Sequence, residues 1–172
     1  AAYRAVAGWL FEEWPRENEE AGVHTADDLA AQLRRDNEPT AAGAPSLSLP
    51  LTLIAVEQGK NGCRPISTVR LDKRDLPALG GAADAALAPW LAALFVPADQ
   101  RGRGIGRILV DAALEAALIV PLDEELCGRA GARRRSRFAH QVHLWFPESK
   151  SSRLRPLYER CGFEPAGRTS FS

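Results

Sequence analysis

The sequence predicts an α/β domain, and three observations carry that prediction. Segments with helical spacing of apolar residues alternate with short β-type runs. LTLIAVE (51–57) and ISTVRL (66–71) flank an Asn-Gly turn signal, the pattern of a hairpin. The stretch from Trp90 to Leu118, WLAALFVPADQRGRGIGRILVDAALEAAL, reads as strand, glycine-rich loop and helix. At 172 residues the chain suits one domain and is long enough to bury a core. Its 45% hydrophobic and 26% charged residues are those of an ordinary globular protein.

Taken in order, Tyr3, Val6, Ala7, Leu10 and Trp14 recur at helical spacing, predicting a helix over 2–14 that Pro15 stops. Thr25 followed by Asp28 resembles a capping box with Asp in place of Glu, opening a second helix through Leu29 and Leu33 to about Arg35. Residues 37–50, rich in Pro, Ala, Gly and Ser, read as a loop, and the low-complexity tract 79–88 as another. Between them lies the hairpin. The unbroken apolar run of Trp90–Val96 predicts a central strand covered on both faces. In the helix that opens at Gly104, Ile105, Ile108, Leu109, Ala112, Ala113 and Ala116 are expected to form the face that packs on the sheet. Residues 119–139 contain GRAGARRRSRF, whose basic run reads as a solvated insertion loop. QVHLWF (141–146) is expected as a strand, Pro156 as the first residue of a last helix ending at Gly162, and Phe163–Phe171 as a closing strand.

The glycine-rich loop carries the chemistry. Gly102, Gly104 and Gly106 lack a Cβ, so the backbone can turn sharply and come close to a ligand, while Arg101, Arg103 and Arg107 concentrate positive charge beside it. The helix that follows offers unpaired N–H groups and the positive end of its dipole, together a site for phosphate. No Ser, Thr or Asn stands directly before Gly104; Asp99 is the nearest candidate cap, and a bound anion is expected to supply the missing acceptors. GxxxxGK[ST] is absent, and GxGxG followed by Arg departs from the GxGxxG of dinucleotide-binding folds.

The loop resembles the acetyl-CoA-binding motif [Q/R]-x-x-G-x-[G/A] of the GNAT superfamily of N-acetyltransferases, matched by Arg101, Gly104 and Gly106. LFV-P directly before it, GIG leading into the helix and LYERCGF at 157–163 extend the resemblance over roughly residues 50–172. It implies a GNAT fold, with a central mixed, mostly antiparallel sheet, a splayed strand pair and helices on both faces. It also implies one domain over 1–172: a helical acceptor-side region (1–50), and a sheet and acetyl-CoA-binding core (51–172). The family's first strand has no counterpart in the expected order: it would have to precede Ala1, or the chain does without it. The implied reaction moves the acetyl group of acetyl-CoA directly to a primary amine. By resemblance, Arg101, Gly102, Arg103, Gly104, Ile105, Gly106 and Arg107 hold the pyrophosphate, the backbone of Leu94, Phe95 and Val96 bonds the pantetheine arm, and Tyr158 is the general acid. A phenol with a pKa near ~10 can protonate a thiolate whose parent thiol is near ~8.5.

Other implied roles depart from the family pattern. Ser151 stands where the family often has an Asn that contacts the cofactor, with Ser152 beside it. Trp90–Val96 has no acidic residue to serve as base, which leaves His143, Glu148, Glu12 and Glu13 as candidates alongside a water chain. Cys161 reads as a buried structural thiol. Residues 9–50 and 78–90 are expected to set the acceptor, with Trp9, Phe11 and Trp14 as candidate pocket residues. The alternative is a catalytically inactive acetyl-CoA-binding regulatory or interaction module.

Composition narrows the remaining classes. Acidic and basic residues balance at 22 each, so no net field points to nucleic acid or a membrane surface. Cys63, Cys127 and Cys161 are too scattered for a disulfide framework or zinc site, and a reducing, cytoplasmic compartment is expected. His140 and His143 would point to opposite faces of a strand, so no metal is expected. The expected partners are acetyl-CoA and an unidentified amine acceptor, bound by a monomer or homodimer.

Overall fold

The N-terminal apolar stripe is realised as helix α1 (Ala2–Glu13), which buries Val6, Ala7 and Leu10. A computed structural model describes residues 2–38, 48–60, 62–73, 89–121 and 141–166. Pro15 ends α1 as expected and also opens a short helix, α2 (Pro15–Glu20), in which its missing N–H and fixed φ suit the first position. Asn18 ties the two helices together, its amide donating to the carbonyls of Leu10 at 3.1 Å and Trp14 at 2.7 Å. Helix α3 (Ala26–Asp36) has the expected cap: the Thr25 hydroxyl oxygen accepts from the Asp28 N–H at 3.1 Å and donates to the Asp28 carboxylate at 2.7 Å. At its other end Asn37 donates to Leu33 O and accepts from the Thr52 N–H, fastening α3 to the first strand.

Three antiparallel strands follow in the order β1 (Leu51–Gly59), β2 (Gly62–Asp72), β3 (Trp90–Phe95). The β1–β2 hairpin is longer than the alternating runs that predicted it, with Gly59 paired to Gly62. Its register shifts at Ala55/Val56 beside Pro65, a residue that cannot donate to the ladder. The sheet is covered on both faces. Leu51, Val69, Leu71 and Leu91 pack with α4 (Ile105–Ile119), while Ile54, Ala93 and Phe95 pack against α1 and α3. The buried Ser67 and Thr68 hydroxyls donate to the carbonyls of Phe95 at 2.5 Å and Leu53 at 3.0 Å, which satisfies them inside the sheet.

Five expectations change. The most buried described strand is β2, through Ile66–Val69, whereas β3 is paired along its far edge only at its start. Residues 141–146 form no strand: His143 makes one parallel bridge with Trp90, through Leu91 N–H to His143 O at 2.7 Å and His143 N–H to Pro89 O at 3.0 Å. Val142, Leu144 and Phe146 still pack on the core, so the apolar alternation was satisfied by side-chain burial without a ladder. The face of α4 is rotated from the expected one: Ile105, Leu109, Val110, Ala113 and Ala117 are buried, and Ile108 is 64% exposed. Finally, the last helix, α5 (Ser151–Arg160), begins five residues before Pro156, which sits inside it. The cost is the single bond that the Pro156 nitrogen cannot donate to Ser152 O, one the remaining turns outlast. Phe163–Ala166 is not a strand, and the rest of that expected strand, like the expected loops at 79–88 and over most of 37–50, His140 and the Arg-rich run, lies outside the described residues. Among the described residues no helix is long and apolar enough to cross a membrane.

Candidate active site

The β2–β3 register slips between Thr68 and Arg70: Thr68 pairs with Phe95 and Arg70 with Ala92, so Ala93 and Leu94 together face Val69. This is a β-bulge, and Ala93 takes φ +49°, a left-handed conformation that is costly for a residue with a Cβ. A bulge withdraws main-chain groups from the ladder. The bulge lies where β3 and residues 145–147 part, beyond the single Trp90–His143 bridge. Between the parted segments runs a groove of about 1340 Å³.

Leu94, Phe95 and Val96 line this groove on one side, and the glycine turn closes one end. Gly102 and Gly104 have φ of +77° and +78°, and a Cβ added at either would meet nothing within 4 Å. Glycine is required there for conformation alone. Gly106 differs: its added Cβ would touch Val96 Cγ2 at 3.6 Å and Leu157 Cδ2 at 3.9 Å, ordinary contact at the seam between β3, α4 and α5. Gly104 is the N-cap of α4 and receives no side-chain cap, so the first-turn N–H groups lack an acceptor from that source. Asp99, the candidate cap, instead accepts from Gln100 Nε2 at 2.6 Å.

The arginines of the turn divide. Arg101 lines the groove and donates through Nε to Val96 O at 2.9 Å; Arg107 also lines it and pairs with Asp111 at 3.5 Å. Arg103 is not a lining residue: its guanidinium bonds Glu57 Oε1 at 2.9 Å and Gln100 Oε1. The opposite wall comes from α5. Tyr158 is 8% exposed and lines the groove, its ring stacked on Phe146 at 5.8 Å and edge-on to Phe163 at 5.8 Å. Cys161, one turn on, is partly buried, and burial, then the Asp111 carboxylate, pushes its thiol above the ordinary value.

His143, Glu148 and Ser151 are not among the lining residues. The His143 ring lies 5.6 Å from that of Trp90. The acidic groups that do line the groove are Glu13, Glu17 and Asp72. Of these, Glu13 alone is among the base candidates that the sequence offers, and it pairs with Lys150 at 3.6 Å. Glu17 was legible only if Pro15 had been read as a helix start as well as a stop. Asp72 lies one residue beyond the strand that the apolar alternation delimited. Trp14 lines the groove, whereas Trp9 and Phe11 do not; Trp9 stacks on Phe95 at 5.8 Å.

Charge is segregated along these walls. Glu13, Glu17 and Asp72 belong to the α1–α2 and β2 side, while Arg101, Arg107, Lys150, Arg153 and Arg160 belong to the turn and α5 side. Arg70 is the exception, and Asp36 and Asp72 hold it at 3.0 Å each. A net charge of zero conceals this separation.

The family description "Acetyltransferase (GNAT) domain" matches residues 64–165, more than half of the chain and the whole of the strand, turn and helix that build the groove. The chain belongs to the GNAT acetyltransferase family. GNAT domains use acetyl-CoA. Among solved structures, the chain is similar to "Putative acetyltransferase from Agrobacterium tumefaciens str. C58", with 23% identity and a TM-score of 0.41 over 69% of this chain and 64% of that one. This chain thus spans just under two thirds of the length of that relative. No curated protein matches it.

Proposed function

We propose that this GNAT protein transfers an acetyl group from acetyl-CoA directly to a primary amine. The observation that carries the reading is one groove shared by the β3 bulge, the uncapped helix start at Gly104 and the Tyr158 ring. The residues present fit the cosubstrate. The first-turn N–H groups of α4 lack a side-chain cap, and the guanidinium groups of Arg101 and Arg107 stand beside them, a combination suited to a pyrophosphate. Acetyl-CoA supplies the activated thioester. In this reading the main-chain N–H groups of Leu94–Val96, residues that line the groove, orient an extended amide-bearing arm, and one of them polarises a carbonyl oxygen as charge grows on it. Tyr158 holds the proton for the departing thiolate, with its ring fixed by Phe146 and Phe163.

The acceptor enters from the α1–α2 side in this reading, consistent with one domain in which residues 1–50 serve the acceptor and 51–172 the donor. Glu13 and Glu17 favour an amine that arrives as a cation, with Trp14 as its apolar contact. Glu13 and water are then better placed than His143 or Glu148 to take its proton, because Glu13 lines the groove. Thermal unfolding with acetyl-CoA tests the donor half. At 100 times its dissociation constant a ligand stabilises by about 2.7 kcal/mol, so an unmoved midpoint under those conditions refutes the assignment.

A further inference from the structure

The groove residues leave one polar network unused. Glu57, on β1, accepts from Arg64 through Oε2 at 2.8 and 3.2 Å and from Arg103 through Oε1 at 2.9 Å. Arg103 also donates to Gln100 Oε1, and Gln100 is 6% exposed. Arg103 stands between Gly102 and Gly104, two left-handed glycines at which even an added Cβ would meet nothing within 4 Å. Such a turn is entropically free to rearrange unless a neighbour restrains it. The planar guanidinium is suited to this, because one rigid fork reaches the sheet and the turn's own Gln100 together.

We propose that Glu57 and Arg103 are positioning residues, clamping the glycine turn to the β1–β2 hairpin so that its N–H groups are aligned before acetyl-CoA arrives. The inference rests on the reading that this turn holds the cosubstrate. It opposes the direct alternative, in which Arg103 is itself a phosphate ligand, because its charge is committed to Glu57 and its side chain is not part of the groove lining.

A double-mutant cycle on the full chain, read as KM for acetyl-CoA and as the calorimetric dissociation constant, distinguishes the two. The Arg103 and Glu57 side chains are 47% and 36% exposed, so the clamp predicts that Glu57→Gln and Arg103→Ala each weaken acetyl-CoA by about twofold to fivefold, with the double variant no worse than either single one. Turnover at saturating acetyl-CoA is expected to stay near that of the unaltered protein. Arg64→Ala, which removes only the hairpin partner of Glu57, is expected to leave KM unchanged; a loss equal to that of Glu57→Gln would make Glu57 a hairpin staple and overturn the clamp. Tighter binding by Glu57→Gln would show that freeing Arg103 creates a phosphate ligand, and would also overturn it. Amide hydrogen exchange at 101–104 without ligand should quicken in both single variants, and unchanged exchange counts against the proposal. If the unaltered protein fails to bind acetyl-CoA, the donor assignment falls and the clamp with it.

Discussion

Gly104→Ala and Gly106→Ala differ by one methyl group each, two residues apart, and are expected to have opposite effects. At Gly104 the added Cβ meets no atom within 4 Å, so its cost is conformational only. Holding an L-residue at φ +78° costs about 1–2 kcal/mol, and the stiffer unfolded chain returns about 0.4–1 kcal/mol. The net is a loss of about 1 kcal/mol. At Gly106 the new methyl makes ordinary contact with Val96 and Leu157, and replacing glycine inside a helix gains about 0.5–1 kcal/mol. The two variants should therefore lie about 2 kcal/mol apart, a difference in unfolding midpoint of roughly 4–8 °C for a domain of this size. Differential scanning calorimetry without ligand measures the gap. Gly104→Ala should also bind acetyl-CoA more weakly, because strain relieved by shifting the turn displaces the N–H groups. Equal midpoints, or a Gly106→Ala protein less stable than Gly104→Ala, would refute the division of these glycines into one that its φ requires and one that neither φ nor packing requires.

Three further outcomes follow. Arg70→Ala should destabilise by about 2 kcal/mol in chemical denaturation, because it leaves the half-buried Asp36 and Asp72 carboxylates without their shared partner. Substituting Asp36 in addition should restore part of that loss. In an acceptor panel, amines without a carboxylate should exceed α-amino acids in kcat/KM, and Glu13→Gln with Glu17→Gln should narrow the gap; equal use of both classes would remove the acidic wall from acceptor choice. Burial raises the Cys161 thiol pKa, so its thiolate fraction is lowered until the pH passes above the ordinary thiol range. Mass-spectrometric mapping near neutral pH should therefore find iodoacetamide on the exposed Cys63 before Cys161.

The features legible in the sequence were those set by local chemistry. Thr25 and Asp28 predicted a cap that forms, Pro15 a stop, and Gly102 and Gly104 a turn that requires positive φ. The errors arose where tertiary packing decides. Ile105, Ile108 and Leu109 all fit a helical stripe, and only the position of the sheet selects which becomes solvent-exposed. Residues 141–146 alternate like a strand, yet past His143 their backbone makes no further bridge with β3, and the bulge that accompanies the parting lies at Ala93 on another segment. No motif marks an alanine for positive φ. Arg103 stands among arginines suited to phosphate, and its diversion to Glu57 depends on a partner 46 residues away.

The most direct test of the central claim is amine-dependent release of CoA from acetyl-CoA, followed as free thiol, by the unaltered protein and by Tyr158→Phe. The Phe variant keeps the ring that packs on Phe146 and Phe163 and removes the hydroxyl alone. Its kcat should fall by about 10²–10⁴-fold, the usual contribution of a positioned general acid, while its affinity for acetyl-CoA stays the same. Turnover in the Phe variant equal to that of the unaltered protein would contradict the role given to Tyr158. An unaltered protein that binds acetyl-CoA yet acetylates no amine would contradict the function proposed.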